Sequence, residues 1–188
     1  MTANIHTLFD EDAIAMRVAA LAEEIAEGRP ERLLVVAVLK GSFIFLRRTS
    51  SGRCTARAWS RKWNSSICPP TAPGPRVRNP SAFLRDVESD VNGRDIILVD
   101  DILESGRTLA FARERLKSRG ARSVRIAALL DKPERRKAAI SADYVGFACP
   151  DKFVVGYGMD MGHAWRQLPY IGYVVAPEEA AADDKTGE

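Results

Sequence analysis

Apolar positions along the chain follow two alternating patterns. After Asp10, the residues Ile14, Val18, Leu21 and Ile25 recur every three or four positions, which is the spacing of one helical face. Asp10 stands where an N-cap belongs, Glu11 and Asp12 place negative charge in the first turn, and Gly28 with Pro30 ends the pattern; helix termini favour all three. Four other runs are short and nearly continuous: 33–38 (Leu-Leu-Val-Val-Ala-Val), 96–99 (Ile-Ile-Leu-Val), 124–130 (Val-Arg-Ile-Ala-Ala-Leu-Leu) and 144–147 (Tyr-Val-Gly-Phe). The first three predict buried strands, that at 96–99 being covered on both faces of a parallel sheet, and the fourth predicts a further strand. Between the second and third, Leu109, Ala112 and Leu116 mark another helix that Gly120 terminates. Strands alternating with helices predict one α/β domain, for which 188 residues suffice.

The candidate chemistry sits where the run 96–99 stops. Two adjacent carboxylates, Asp100 and Asp101, are followed by Glu104-Ser105-Gly106-Arg107-Thr108 and then by the helical pattern. Ligands of open α/β sheets bind at the carboxyl ends of strands. A hydroxyl- and glycine-containing turn at a helix start offers backbone N–H groups to a phosphate. Ionised carboxylates only accept hydrogen bonds, so an acidic pair suits vicinal hydroxyls of a sugar. Together these features describe a ribose-5-phosphate site. The competing reading is an ordinary strand–turn–helix whose acids cap the helix.

The stretch Val99-Asp100-Asp101-Ile102-Leu103-Glu104-Ser105-Gly106-Arg107-Thr108 resembles the phosphoribosyl-pyrophosphate (PRPP) loop of the type I phosphoribosyltransferases. Near the other end, Pro150-Asp151-Lys152-Phe153-Val154-Val155-Gly156-Tyr157-Gly158-Met159-Asp160 and Trp165-Arg166-Gln167-Leu168-Pro169 resemble the purine hood of the hypoxanthine-guanine phosphoribosyltransferases. The resemblance implies the type I fold: a mainly parallel twisted sheet flanked by helices, with a small hood from the chain termini. It implies PRPP binding by Leu39, Lys40, Gly41, by Asp100 to Thr108 (Ile102, Leu103, Ser105, Gly106 and Arg107 included) and by Arg166. It assigns the purine to Lys132, Phe153, Val154 and Asp160, and Mg²⁺ to Asp160 with Asp100 and Asp101. The implied reaction moves the phosphoribosyl group to hypoxanthine or guanine in purine salvage. Glu104 stands where the family usually has Asp, as the base for the purine N7 proton. The resemblance also implies a homodimer or homotetramer.

Each of the purine-side residues has a plainer alternative: Phe153 in a core, Lys132 at the surface after a strand, Asp160 in a turn. Two other readings stay open: a phosphoribosyltransferase-fold regulator that binds RNA, and a xanthine-guanine enzyme. A Rossmann-type dinucleotide protein is set aside, because no G-x-G-x-x-G follows the first strand. The polar start, the lack of a membrane-length apolar run, and three cysteines without metal-type spacing lead to the expectation of a cytoplasmic protein. The domain is expected over residues 1–176, with 177–188 an acidic tail.

Residues 47–83 fit none of these patterns. They hold eight basic residues and no acidic one, leaving 20 of the 28 basic residues against all 25 acidic ones elsewhere. The overall charge of +3 therefore comes from this segment and is weak grounds for a nucleic-acid partner. Read one base earlier, codons permitted for residues 62–75 allow Val-Glu-Phe-Ile-His-Leu-Ser-Ser-Tyr-Gly-Pro-Gly-Thr. The same shift over residues 48–58 allows Asp-Leu-Ile-Arg-Ala-Leu-His-Arg-Ala-Gly. The first resembles the mobile active-site loop of hypoxanthine phosphoribosyltransferases, and the second an amphipathic helix. Two compensating frame changes, near Leu46 and before Leu84, account for both. A divergent insert and a segment without fixed structure are the alternatives. Restoring the shifted frame is expected to raise phosphoribosyl transfer more than about tenfold, equivalent to roughly 1.4 kcal/mol of transition-state stabilisation. Side-by-side turnover assays decide it, and equal rates refute the expectation that the chain as written is impaired.

Overall fold

Asp10 caps the first helix as its place in the sequence predicts. In the computed structural model, which describes residues 4–38 and 90–175, its carboxylate accepts a hydrogen bond from the Ala13 amide at 2.7 Å. The described elements in chain order are β1 (Asn4–Phe9), α1 (Glu11–Glu27), β2 (Leu34–Ala37), β3 (Asp95–Leu103), α2 (Arg107–Ser118), β4 (Ser123–Asp131), β5 (Tyr144–Ala148), β6 (Val154–Val155) and β7 (Ile171–Val175). A short 3-10 turn at Pro133–Arg135 follows β4. Leu39, Lys40, Gly41 and residues 47–83 lie outside the described residues, as does the tail 177–188.

Strands β2-β3-β4-β5 form one sheet in that order, and each adjacent pair is parallel. Successive side chains point to opposite faces of a strand. Ile97 and Val99 therefore join Ile14, Val18, Leu21 and Ile25 of α1, while Ile96 and Leu98 join Leu109, Ala112 and Leu116 of α2. Both faces are covered, which is why the run 96–99 shows no polar alternation. Each such buried aliphatic side chain contributes about 1.5–3 kcal/mol relative to exposure. On β5, Arg17 of α1 donates to the carbonyls of Gly146 at 2.9 Å and Val145 at 2.6 Å. That occupies backbone groups of an edge strand that would otherwise invite another chain.

Strand β3 is longer than its apolar run implies. Pairing with β4 continues through Asp100↔Ala128, Ile102↔Leu130 and Leu103↔Asp131, so the acid pair lies inside the strand rather than beyond its end. The partner's backbone carries the strand onward after the apolar run stops. A second, antiparallel sheet has the order β1-β7-β6. Its two outer contributors in sequence, β1 and β7, come from opposite ends of the chain, as expected of the small hood. Strand β1 has no fully buried position, so hydrophobic pattern could not reveal it; pairing with β7 creates it. Phe9 stacks on Phe147 with centroids 4.1 Å apart, joining the hood to the main sheet.

At the amino ends of the strands, opposite the candidate site, Asp95 fastens three segments. It accepts from the Glu31 amide at 2.7 Å, Arg122 Nε at 2.9 Å and Ser123 Oγ at 2.7 Å, and from Arg122 Nη2. The Arg122 guanidinium, with Ser123 and the Glu31 amide, holds the Asp95 carboxyl well below the ordinary carboxylate range against the opposing effect of burial. A depressed folded value means the contribution is complete above the unfolded value and fades as pH falls toward the folded one. Asp95→Asn is expected to cost about 2 kcal/mol at pH 7, the scale of charge-assisted hydrogen bonds. Urea titrations should show that deficit shrinking as pH falls below about 4.

Candidate active site

Parallel pairing delivers Asp100 and Asp101 to the carboxyl end of the sheet, both almost fully buried. Asp100 Oδ1 accepts from the Asp101 amide at 3.1 Å, and Asp101 Oδ1 from the Ile102 amide at 3.0 Å. Burial, reinforced by the neighbouring Asp101 charge, pushes Asp100 well above the ordinary carboxylate range. Burial also raises Asp101, against hydrogen bonds from Asp100 and Ile102 and the nearby Arg166 charge. Two carboxylates so placed gain from any ligand that brings hydroxyl donors or positive charge.

The turn after them is shaped by Gly106, which precedes α2 with φ +74°. A Cβ there would run into the Ile140 side chain and crowd Arg136, so only glycine fits. The carbonyls of the turn are engaged from behind. Leu103 O accepts from the Lys132 amide at 3.1 Å, and Ser105 O from the amides of Lys137 and Ala138, both at 3.0 Å. Arg136 adds Nε to Glu104 O at 2.9 Å and Nη2 to Leu103 O at 3.2 Å. The Arg107 amide donates to Ser105 Oγ at 3.5 Å, and the turn leads directly into the amino end of α2, a favourable place for an anion.

Lys132 is the residue that structure most changes. A lysine just beyond a strand reads as a surface group, yet it is 3% exposed. Its Nζ donates to Glu104 Oε1 at 3.2 Å and to Lys152 O at 2.7 Å, so the ammonium links the loop to the hood. Beside it, Phe153 is 54% exposed, unlike the core aromatics. Val154 is held in β6 against Tyr173 of β7, and Phe153 O accepts from the Val174 amide at 3.1 Å. Lys152 Nζ lies 3.9 Å from the Tyr173 ring centroid.

Asp160 pairs with Arg166 Nη2, and its other oxygen accepts from the His163 amide at 2.9 Å. Arg166 Nη1 also donates to Gly158 O at 2.5 Å. Tyr157, His163 and Trp165 all have positive φ in this segment, a concentration of costly backbone that marks functional loops. Glu104, Lys132 and the start of the hood thus converge, with the acid pair and turn beside them. Asp160 stands apart on Arg166, and no three carboxylate, histidine or cysteine groups gather at a metal-binding spacing among the described residues. Arg135, which pairs with Asp151 of the hood, and Arg136 were not foreseen. In sequence, Arg135-Arg136-Lys137 looks like a solvated charge run.

The phosphoribosyl transferase domain model matches residues 4–161. The chain is 34% identical over 182 residues to the hypoxanthine phosphoribosyltransferase of Escherichia coli K12, covering 95% of this chain and 100% of that protein. It is 38% identical over 166 residues to the hypoxanthine-guanine phosphoribosyltransferase of Bacillus subtilis, covering 88% and 90%. Among solved structures, a hypoxanthine-guanine phosphoribosyltransferase of Bacillus anthracis superposes with TM-score 0.77 at 34% identity, over 93% of this chain and 100% of that one. The Trypanosoma cruzi hypoxanthine phosphoribosyltransferase in complex with the product IMP gives TM-score 0.76 at 30% identity, over 100% and 98%. With the parallel sheet, the acid pair, the glycine turn and the hood in one arrangement, the chain belongs to the phosphoribosyltransferase family, among its hypoxanthine phosphoribosyltransferases.

Proposed function

We propose that the chain transfers the 5-phosphoribosyl group of PRPP to hypoxanthine or guanine, releasing pyrophosphate in a reaction of purine salvage. The observation that carries this reading is the placement of Lys132 Nζ beside Glu104 Oε1, 3.2 Å apart at the mouth of the hood. O6 and N7 lie side by side on one edge of a 6-oxopurine. When N7 carries the proton, that edge is an acceptor beside a donor, and Lys132 with Glu104 is its complement. Adenine would set its amino group against the ammonium, donor against donor, and be rejected. The exposed face of Phe153 serves the ring as a stacking platform, and the Val154 backbone borders its edge.

The other half of the site receives PRPP. Asp100 and Asp101 hold the ribose hydroxyls, and the turn Ser105, Gly106, Arg107 and Thr108 takes the 5-phosphate. Leu39, Lys40, Gly41 and Arg166 are assigned to the pyrophosphate. The bond from C1′ to the pyrophosphate oxygen breaks as the bond from purine N9 to C1′ forms. Positive charge then develops on the ribose and on the base, and Glu104 accepts the N7 proton. Orienting both partners supplies much of the acceleration, and fixed charges supply more.

The donor set fits Mg²⁺, a hard cation that keeps waters and takes one or two protein carboxylates together with substrate phosphates. Asp160, 22% exposed at its side chain, or the pair Asp100 and Asp101 would hold it together with substrate phosphate oxygens, because among the described residues the three carboxylates do not gather into one cluster; when bound it would neutralise charge on the leaving pyrophosphate. The same reading carries one domain over residues 1–176 and a cytoplasmic homodimer or homotetramer. Among the described residues no helix is long and apolar enough to cross a membrane.

The test is formation of IMP from PRPP, Mg²⁺ and hypoxanthine, with adenine as control; no IMP, or equal use of adenine, refutes the proposal. Lys132→Met is expected to lower kcat/KM for hypoxanthine about 10- to 100-fold, the loss of a hydrogen bond to a charged donor. Glu104→Gln should lower kcat by about 10²- to 10⁴-fold, as removal of a general base does. Phe153→Ala should raise KM for the base roughly tenfold or more and leave KM for PRPP in place, since stacking is worth about 1–3 kcal/mol per base. Steady-state assays varying each substrate separately check all three.

A further inference from the structure

Arg136 lies behind the phosphate-binding turn and takes no part in the mechanism above. Its guanidinium donates to Glu104 O at 2.9 Å, Ile140 O at 2.7 Å and Leu103 O at 3.2 Å, and to the Asp131 carboxylate. Its side chain is only 15% exposed, so these bonds offset the cost of taking a cation out of water. A planar fork with five N–H groups can serve four acceptors in different directions; an ammonium cannot.

Two of those acceptors are the last carbonyl of β3 and the first of the turn, and the next is held by the same segment. Ser105 O accepts from the amides of Lys137 and Ala138. A peptide unit is planar and trans, so fixing one carbonyl fixes the direction of the N–H that follows it. Anchoring the carbonyls of Leu103, Glu104 and Ser105 on one side therefore turns the amides of Glu104, Ser105 and Gly106 to the other. Gly106 completes the fit, because its missing side chain leaves room for Ile140 and Arg136.

We propose that Arg136 is the positioning residue of the phosphate cradle: it orients the turn Glu104–Thr108 from behind, so that its amides face the 5-phosphate. This rests on the functional reading above. A positioning role predicts selectivity, since ligands with a 5-phosphate feel the loss and the free base does not.

The experiment compares the parent protein with Arg136→Lys, which keeps the charge and loses the fork, and with Asp131→Asn, which keeps the guanidinium and loosens its anchor. IMP affinity is measured by calorimetry, and KM for PRPP and for hypoxanthine by steady-state kinetics. Arg136→Lys is expected to weaken IMP and raise KM for PRPP by about tenfold or more, with KM for hypoxanthine within about twofold. Asp131→Asn should show the same selectivity at smaller amplitude, and it decides the matter if Arg136→Lys does not fold. Unchanged IMP affinity, or equal rises in both KM values, overturns the positioning role while leaving the functional reading intact. A parent protein that neither binds IMP nor forms it removes the functional reading, and the positioning role with it.

Discussion

The register between β3 and β4 is the constraint on which the rest of this structure depends. It runs in parallel from Asp95↔Ser123 to Leu103↔Asp131, and its two ends do different things. At the amino end it sets Asp95 beside Ser123 and Arg122, where a carboxylate fastens the strands. At the carboxyl end it brings Asp131 and Lys132 level with Leu103 and the turn that follows. A slip of one residue would send every side chain of β3 to the wrong face. It would bury neither apolar layer correctly and would separate Glu104 from Lys132.

From that register the site is assembled by charge placed in low dielectric. Asp100 and Asp101 are costly neighbours, buried together and both raised above the ordinary carboxylate range. The fold carries this cost at the carboxyl end of the central sheet, where ligands of open α/β sheets bind. On the other side a buried ammonium, Lys132, is satisfied by Glu104 and by a hood carbonyl. The longer side chain of Glu104 spans to Lys132, so the two groups that would read a 6-oxopurine face one another.

Three consecutive features after β4 tie the halves of the site together. Lys132 reaches the hood backbone, Arg135 pairs with Asp151 of the hood, and Arg136 holds the turn. The short segment 132–140 thus ties the turn after β3 to the hood. Binding sites on loops need such support, because geometry loosened by an ångström is enough to lose much of an enzyme's rate.

The sequence by itself determined the layers and the chemical type of the site. Helix α1 could be placed by its cap, its face and its glycine end, because capping and periodicity are local. The central strands could be placed because burial on both faces demands continuous apolar runs. Motif residues from Asp100 to Thr108 and from Pro150 to Arg166 carried the family, since their types stand in a fixed order and spacing along the chain. Tertiary structure alone decided the length of β3, which its partner's backbone extends past the apolar run. It also decided the existence of β1, a strand with no buried position that forms only against β7. The burial of Lys132 and the contacts of Arg136 were equally invisible, because a basic residue after a strand looks the same whether solvent or a ring of carbonyls receives it. Local propensity and pattern are written in consecutive residues. Which carbonyl a guanidinium meets 33 positions away is written only in the fold.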